Sequence, residues 1–531
     1  MSDAFDYVIV GAGSAGCVLA DRLSESGEHQ VCVLEAGGKD DKTNIKTPML
    51  LQFTITDEKI NWNYWTQAQK NLNDRKLFWP RGKTLGGSSS INAMHYMRGA
   101  LENYDEWGEA YGAQGWSGET ALEAFKRVEN NENHGEPWHG QGGRLNVKDI
   151  APVNPLTEMY WEACRRRQIP ENPDHNGASQ EGFGVYQVTQ KGGKRCSAAD
   201  AFLRPAMQRP NLTVVTGALV LKVMIEDGRA TGVEIEIDGE VQQVIARKEV
   251  ILSGGALNSP HVLMLSGIGP ADHLREHGIA VEVDSPGVGE NLQDHLDIMA
   301  RAGTKKPTSI GYSMRKFPAT ARDVLQWAAT GTGGFTVNPV QGCGFVKSSR
   351  AKDLPDIQLV FIPALASPHG METLTGHGIS LHACHLYPKS RGRLTLASAD
   401  PRDLIRIDPN YLDDEEDVAV MTDCLEISRD ILMSDAFDGE FKELQLPADP
   451  GAPRAVLEDE VRKRAETLYH PTSTCAMGTG ELAVTDAQCQ VRGVKALRVV
   501  DASVMPRIVG GNTNAPTIMV ATRAADMILS A

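Results

Sequence analysis

Residues 5–16 read Phe5-Asp6-Tyr7-Val8-Ile9-Val10-Gly11-Ala12-Gly13-Ser14-Ala15-Gly16, and nineteen positions beyond the last glycine stands Glu35. The run from Phe5 to Val10 is rich in β-branched and aromatic side chains and ends on glycine. Residues 14–25 then carry helical spacing, so the segment reads as strand, tight turn and helix. In that setting the G-x-G-x-x-G spacing is a dinucleotide turn. Gly11 permits the sharp bend, Gly13 lets the backbone approach a pyrophosphate, and Gly16 lets the helix pack closely on the strand. Ser14 and Ala15 open the helix, whose free N–H groups and partial positive charge suit phosphate. A second strand, residues 30–34, runs into Glu35, whose carboxylate can accept both hydroxyls of an adenosine ribose. No Arg stands beside it, which disfavours a 2′-phosphate and leaves NAD or FAD.

Working outward, the chain has 531 residues, a soft prior of about three units at roughly 150 residues each. Lys plus Arg number 53 against 69 Asp plus Glu, a net charge of -16 that argues against nucleic acid or an anionic lipid surface as an electrostatic partner. Glycine, at 52 residues, exceeds the usual share while proline, at 27, does not, which points to turns and close backbone approaches rather than disorder. The acidic opening lacks the positive region of a signal peptide, and no apolar run reaches the ~18 residues of a membrane span. The nine cysteines are scattered without a C-x-x-C pair, which favours buried thiols in a reducing cytoplasm.

A second glycine-rich stretch, residues 79–99, contains Gly82-Lys83-Thr84, but Leu77 occupies the place of the first P-loop glycine, so a phosphate-cradle reading of Lys83 fails. This stretch, with Gly86-Gly87-Ser88-Ser89-Ser90-Ile91-Asn92-Ala93-Met94, resembles the first signature of the glucose-methanol-choline oxidoreductase family. Gly255–Gly269 matches the second. Pro286–His295, Tyr469–Gly478, Leu497–Pro506 and Gly511–Thr517 follow in family order, so the resemblance spans the chain. Among members, the sequence is most similar to bacterial FAD-dependent alcohol and choline dehydrogenases. The resemblance implies an α/β FAD-binding Rossmann-like domain assembled from discontinuous segments, plus an α+β substrate domain with an antiparallel sheet. Our division places 1–155, 193–305 and 460–531 in the FAD domain and 156–192 and 306–459 in the substrate domain. Ser380–Leu386 and Gly392–Leu396 read as alternating strands suited to an antiparallel sheet. Residues 319–329 read as an amphipathic helix with Val324, Leu325 and Trp327 near its apolar side.

Cofactor contacts implied by the resemblance fall on Gly11, Gly13, Ser14, Ala15, Gly16, Glu35 and Ala36; on Gly86, Gly87, Ser90, Asn92, Ala93 and Met94; and on Val220, Asp501, Ala502 and Asn514. The implied chemistry is oxidation of a primary alcohol to an aldehyde, with a proton removed by a base and a hydride transferred to flavin N5. The His of the Tyr-His-Pro block, His470, is the base, since its ordinary pKa of ~6.5 lies near working pH. Asn512 orients the substrate oxygen, with Asn514 as the competing assignment.

Three positions depart from the family pattern. Ile91 stands where some oxidases tether FAD through His, so noncovalent FAD is expected. Ser473 replaces a common Gly. Gln341 replaces a common Glu, which favours neutral alcohols over a quaternary ammonium substrate. His382 and His385 fall on opposite faces of a strand with no matching partners, so no metal site is expected. His134 and His139 read as a solvated turn, and Asp294-His295 as a structural block. The expected partners are a small alcohol and a quinone or other non-NAD acceptor. Peripheral contact with the inner membrane through loops such as Leu50-Leu51-Gln52-Phe53 fits an otherwise cytoplasmic protein. Alternative activities are choline dehydrogenase, an oxygen-using alcohol oxidase, and an FAD-containing hydroxynitrile lyase.

Overall fold

The computed structural model describes residues 4–311, 313–314 and 316–530. Its first sheet has a parallel core in the order Leu212–Thr216, Val31–Glu35, Ala4–Val10, Glu240–Leu252 and Leu497–Val499. Every residue of Val31–Glu35 is buried, as expected of a parallel strand covered on both faces. The first half of Glu240–Leu252 instead pairs antiparallel with Arg229–Ile237, which in turn pairs with Leu219–Glu226. Helix Ser14–Leu23 follows the first strand and packs against helix Asn514–Leu529 from the far end of the sequence.

The second sheet is antiparallel, in the order Phe441–Leu446, Leu296–Thr304, Gly378–His385, Ile357–Ile362, Gly342–Val346 and Gly182–Val185, with Glu466–Thr467 beside Leu296–Thr304. Helices Pro155–Arg166 and Glu415–Leu432 pack on it. Tyr160 stacks on Phe361 with ring centroids 4.7 Å apart, which places odd-numbered residues of that strand on the helix side. The even-numbered residues Val360, Ile362 and His382 line a cavity between this sheet and the first.

Three expectations change. Leu296–Thr304, grouped with the FAD segments from sequence, pairs within the antiparallel sheet, and we place the boundary before it. Arg393–Thr395 pairs with Arg406–Asp408 rather than with Gly378–His385. The amphipathic helix is present as Phe317–Thr330, yet none of its residues is buried and Leu325 is 70% exposed. Its periodicity marks an apolar stripe with no core beneath it.

Gly16 is where the strand–turn–helix unit tolerates least change: a Cβ there would sit 1.9 Å from Gly11 O. Gly16→Ala is expected to destabilise by about 1–3 kcal/mol or more through overpacking against backbone. Thermal unfolding checks this; an unchanged midpoint would show that helix and strand can separate without loss.

Candidate active site

The turn residues behave as their spacing requires. Gly11 has φ +99, and a Cβ on it would lie 2.6 Å from Ser253 O. At Gly13 the nearest atom to such a Cβ is Ser253 O at 4.0 Å, so this glycine presents open backbone to the cavity, as an approaching phosphate needs. Glu35 is buried at the cavity edge. Its Oε2 accepts from Ala12 N (2.9 Å) and its Oε1 from Gly37 N (2.8 Å). Burial pushes its carboxyl up to about 7, a shift that hydroxyl donors from a ribose would oppose by stabilising the anion.

The cavity is about 1230 Å³. Gly11, Gly13, Ser14, Ala15, Glu35 and Ala36 line one end, with Val220 beside them on the first sheet. Gly87, Asn92 and Ala93 line the middle, and Asp501, Ala502 and Asn514 close it from the C-terminal segments. Four of the expected contacts are not among the residues that line the cavity. Gly16 packs under the turn; Gly86 donates its N–H to Ala12 O (2.7 Å); Ser90 Oγ donates to Leu85 O (2.7 Å); Met94 is buried in an apolar cluster. Asp501 is itself committed within the protein, accepting from the backbone N–H groups of Gly255 and Ser503 and from the Ser259 hydroxyl. Asn514 Oδ1 accepts from Ser14 Oγ at 2.6 Å, joining the first and last helices.

At the other end lie His470 and Asn512, and the hydrogen bonds around them have one consistent direction. The carbonyl of Leu386 can only accept, so His295 Nε2, 3.0 Å away, is the donor. Burial pushes the His295 imidazole down to about 3, so the ring is neutral and its Nδ1 is an acceptor. That Nδ1 lies 2.9 Å from His470 Nδ1, which must donate. Burial, reinforced by His295, Arg81 and His95, holds His470 well below the ordinary imidazole range. It too is neutral, with its lone pair on Nε2. Asn512 Nδ2 lies 3.1 Å from that Nε2, while Asn512 Oδ1 accepts from Gln358 Nε2 at 3.1 Å. The backbone N–H of His470 donates to Asp294 Oδ1 at 2.7 Å. The arrangement is an uncharged imidazole at the cavity wall whose Nε2 accepts from an oriented amide.

Comparison with known proteins bears on this geometry. Models of the GMC oxidoreductase family match residues 5–297 and 388–521. The chain belongs to the GMC oxidoreductase family. It is 46% identical to alcohol dehydrogenase [acceptor] of Pseudomonas putida over 528 residues, covering 99% of this chain and 96% of that one. It is 43% identical to oxygen-dependent choline dehydrogenase of Photobacterium profundum over 538 residues, covering 100% and 94%. Among solved structures, pyridoxine 4-oxidase from Mesorbium loti superposes with a TM-score of 0.89 at 30% identity, covering 100% of both chains. An R554A variant of formate oxidase from Aspergillus oryzae, studied for FAD modification, superposes at 0.92 with 26% identity, covering 100% of this chain and 98% of that one.

Within this GMC oxidoreductase, two departures find their physical setting. Ser473 takes φ +77, the region that favours glycine; it is held there by its N–H on Ala502 O (3.2 Å) and its hydroxyl on Thr472 Oγ1 (3.0 Å). Gln341 is buried, its Oε1 accepting from Asn154 N and Thr157 Oγ1 and its Nε2 donating to Asn338 O. His139 is no solvated turn: it is buried between Glu129 and Asp174. Sequence reasoning also left two residues of the site unassigned, His295 and Gln358. For His295 the signal was its place after Asp294 in a family block; for Gln358 there was none, since a polar residue in an apolar strand says nothing about its partner.

His295 acts through His470 and is a positioning residue. In His295→Leu the Nδ1 proton of His470 loses its acceptor, and kcat is expected to fall about ten- to a hundredfold with the cofactor spectrum intact. His295→Gln, which keeps an acceptor, should recover part of the loss. A drop below about twofold in His295→Leu would mean that His470 keeps its tautomer unaided.

Proposed function

We propose that this protein oxidises a primary alcohol to an aldehyde with noncovalent FAD, using His470 as the base and a quinone or another non-NAD acceptor for the electrons. The observation that carries this reading is the lone pair on His470 Nε2, held toward the cavity by the chain from Leu386 O. The cofactor's place is supported by the open backbone at Gly13, the helix that starts at Ser14, and Glu35 at the ribose position. When bound, FAD supplies the acceptor for the hydride. Ile91 lines the cavity and has no atom that could bond covalently to a flavin.

An alcohol hydroxyl that displaces the 3.1 Å bond between Asn512 Nδ2 and His470 Nε2 would give its proton to the imidazole and leave its oxygen facing the released amide donor. Because His470 is buried and unprotonated at neutral pH, it is ready to accept before the substrate arrives. Its proton can be shared no further than His295, which already donates to a carbonyl. Neutral alcohols fit better than choline: Gln341 carries no charge, and all of its polar atoms are bound within the protein. The Pseudomonas relative, named for an unspecified acceptor, supports a non-NAD electron route.

Peripheral membrane contact is supported by the rim of the cavity. Lys316, Ala319 and Thr320 line the opening, while Phe317 and Leu325 on the same helix are 67% and 70% exposed. Among the described residues no helix is long and apolar enough to cross a membrane.

Anaerobic addition of aliphatic primary alcohols should bleach the flavin, and acid denaturation should leave all yellow colour in the supernatant. Flavin that stays oxidised under every alcohol tried would point to acid–base chemistry of the lyase kind. Quinone should reoxidise the reduced protein faster than oxygen; near-stoichiometric hydrogen peroxide would make it an oxidase.

His470→Ala should keep FAD and lose about 10²–10⁴-fold in kcat. The depressed pKa of His470 fixes the sign of the pH dependence. Its neutral form persists below pH 6.5, so kcat/KM should stay level through neutrality and fall only as pH drops under that value. An acid limb centred above 6.5 would contradict the assignment.

A further inference from the structure

Another imidazole that lines the same cavity, that of His382, takes no part in the proton chain. Across strands Ile357–Ile362 and Gly378–His385, Gln358 pairs with Cys384 and Val360 with His382. Alternation puts these four side chains on one face. Gln358 is the residue that holds Asn512, and Val360 and His382 line the cavity. His382 thus stands one pleat repeat, roughly 7 Å, from the group that orients the carbinol end.

His382 Nδ1 lies 2.6 Å from Asp297 Oδ2. The two are diagonal neighbours, since Asp297 pairs with Cys384 and Met299 with His382. Asp297 is buried, and its Oδ1 has no hydrogen-bond partner among the described residues, so the imidazole is the one group its carboxylate serves there. The carboxylate accepts from Nδ1–H, which orients the ring and leaves Nε2, at its far side, as the other hydrogen-bonding atom. Among the described residues nothing bonds that Nε2. Val360, its cross-strand neighbour, lines the cavity beside it. The His382 side chain is 19% exposed, so a ligand that enters the cavity can reach Nε2.

The geometry points to a second polar subsite: His382, backed by Asp297, receives a hydroxyl at the far end of the substrate, so the preferred substrates are primary alcohols that carry a second hydroxyl several carbons from the carbinol. This rests on the alcohol oxidation proposed above. A site built to pair a hydroxyl discriminates strongly against the analogue that lacks it, whereas an apolar wall does not.

The test compares kcat/KM for 1,6-hexanediol and 1-hexanol, two chains of equal length, on the FAD-loaded enzyme and on His382→Leu and His382→Gln. The diol-to-alcohol ratio is expected to fall at least about tenfold in His382→Leu and to recover in part in His382→Gln, which keeps a hydrogen-bonding side chain. Asp297→Asn, which weakens the acceptor behind the ring, should lower the same ratio and gives the readout if His382→Leu fails to hold FAD. A ratio within about twofold of the wild type in the variant that retains flavin overturns the subsite while leaving alcohol oxidation intact. A wild-type enzyme that oxidises neither compound overturns both readings.

Discussion

A carbonyl oxygen can accept a hydrogen bond and never donate one, and the His470 end of this cavity takes its polarity from that fact. Leu386, just past the end of a central strand, offers its carbonyl to His295; burial keeps both imidazoles uncharged, so each passes the same donor–acceptor order to the next group. The final lone pair appears on His470 Nε2. If either ring gained a proton in the resting state, the order would break, so the dryness of this corner matters as much as its distances. Gln358 performs the same service for Asn512 from the opposite side, fixing which end of the amide meets the imidazole.

Holding that corner in place requires unfavourable backbone. Tyr469 and Ser473, on either side of the His-Pro pair, have φ of +70 and +77. Such conformations cost about 1–3 kcal/mol each for non-glycine residues and persist only where surroundings over-determine them. Here the surroundings are specific. Arg81 Nη2 donates to Tyr469 O, Thr467 Oγ1 accepts from Tyr469 N, and Asp294 receives the N–H of His470 together with the hydroxyls of Thr467 and Tyr411. Asp294 is thus a hub for three separate segments, and burial pushes its carboxyl upward even though each of these donors opposes the shift. Elsewhere, Arg98 lies buried against Glu129, which also holds His139, and His139 reaches Asp174. Removing one member of such a network is more damaging than the net worth of the pairs, because a buried charge is left alone.

The parts of this structure that could be read from sequence are those whose partners are near in the chain. The turn from Gly11 to Gly16 and its acid at 35 form one local unit, in which Gly16 packs on Gly11, although Gly11 also lies against Ser253 at the end of a neighbouring strand. His470 and Asn512 were singled out because whole blocks resemble a family, not because of any local pattern, and the fold brings them together at the cavity wall. What remained hidden was long-range: His295 meets His470 across 175 positions, and Asp297 meets His382 across 85. Strand partnership was equally opaque. Nothing in Leu296–Thr304 shows on which sheet it lies, since an apolar strand buried on both faces reads alike in either. The helix at 317–330 misled in the opposite way: apolar periodicity reveals a stripe, and only the fold reveals whether anything covers it.

The bond from Ser14 to Asn514 has a kinetic meaning for biosynthesis. The nucleotide turn emerges from the ribosome almost at once, but the wall made by Asp501, Ala502 and Asn514, and the helix that braces Ser14–Leu23, follow only after the entire antiparallel unit has been made. A nascent chain therefore carries an unfinished pocket through most of its translation. The cavity is complete only when the two ends of the polypeptide meet.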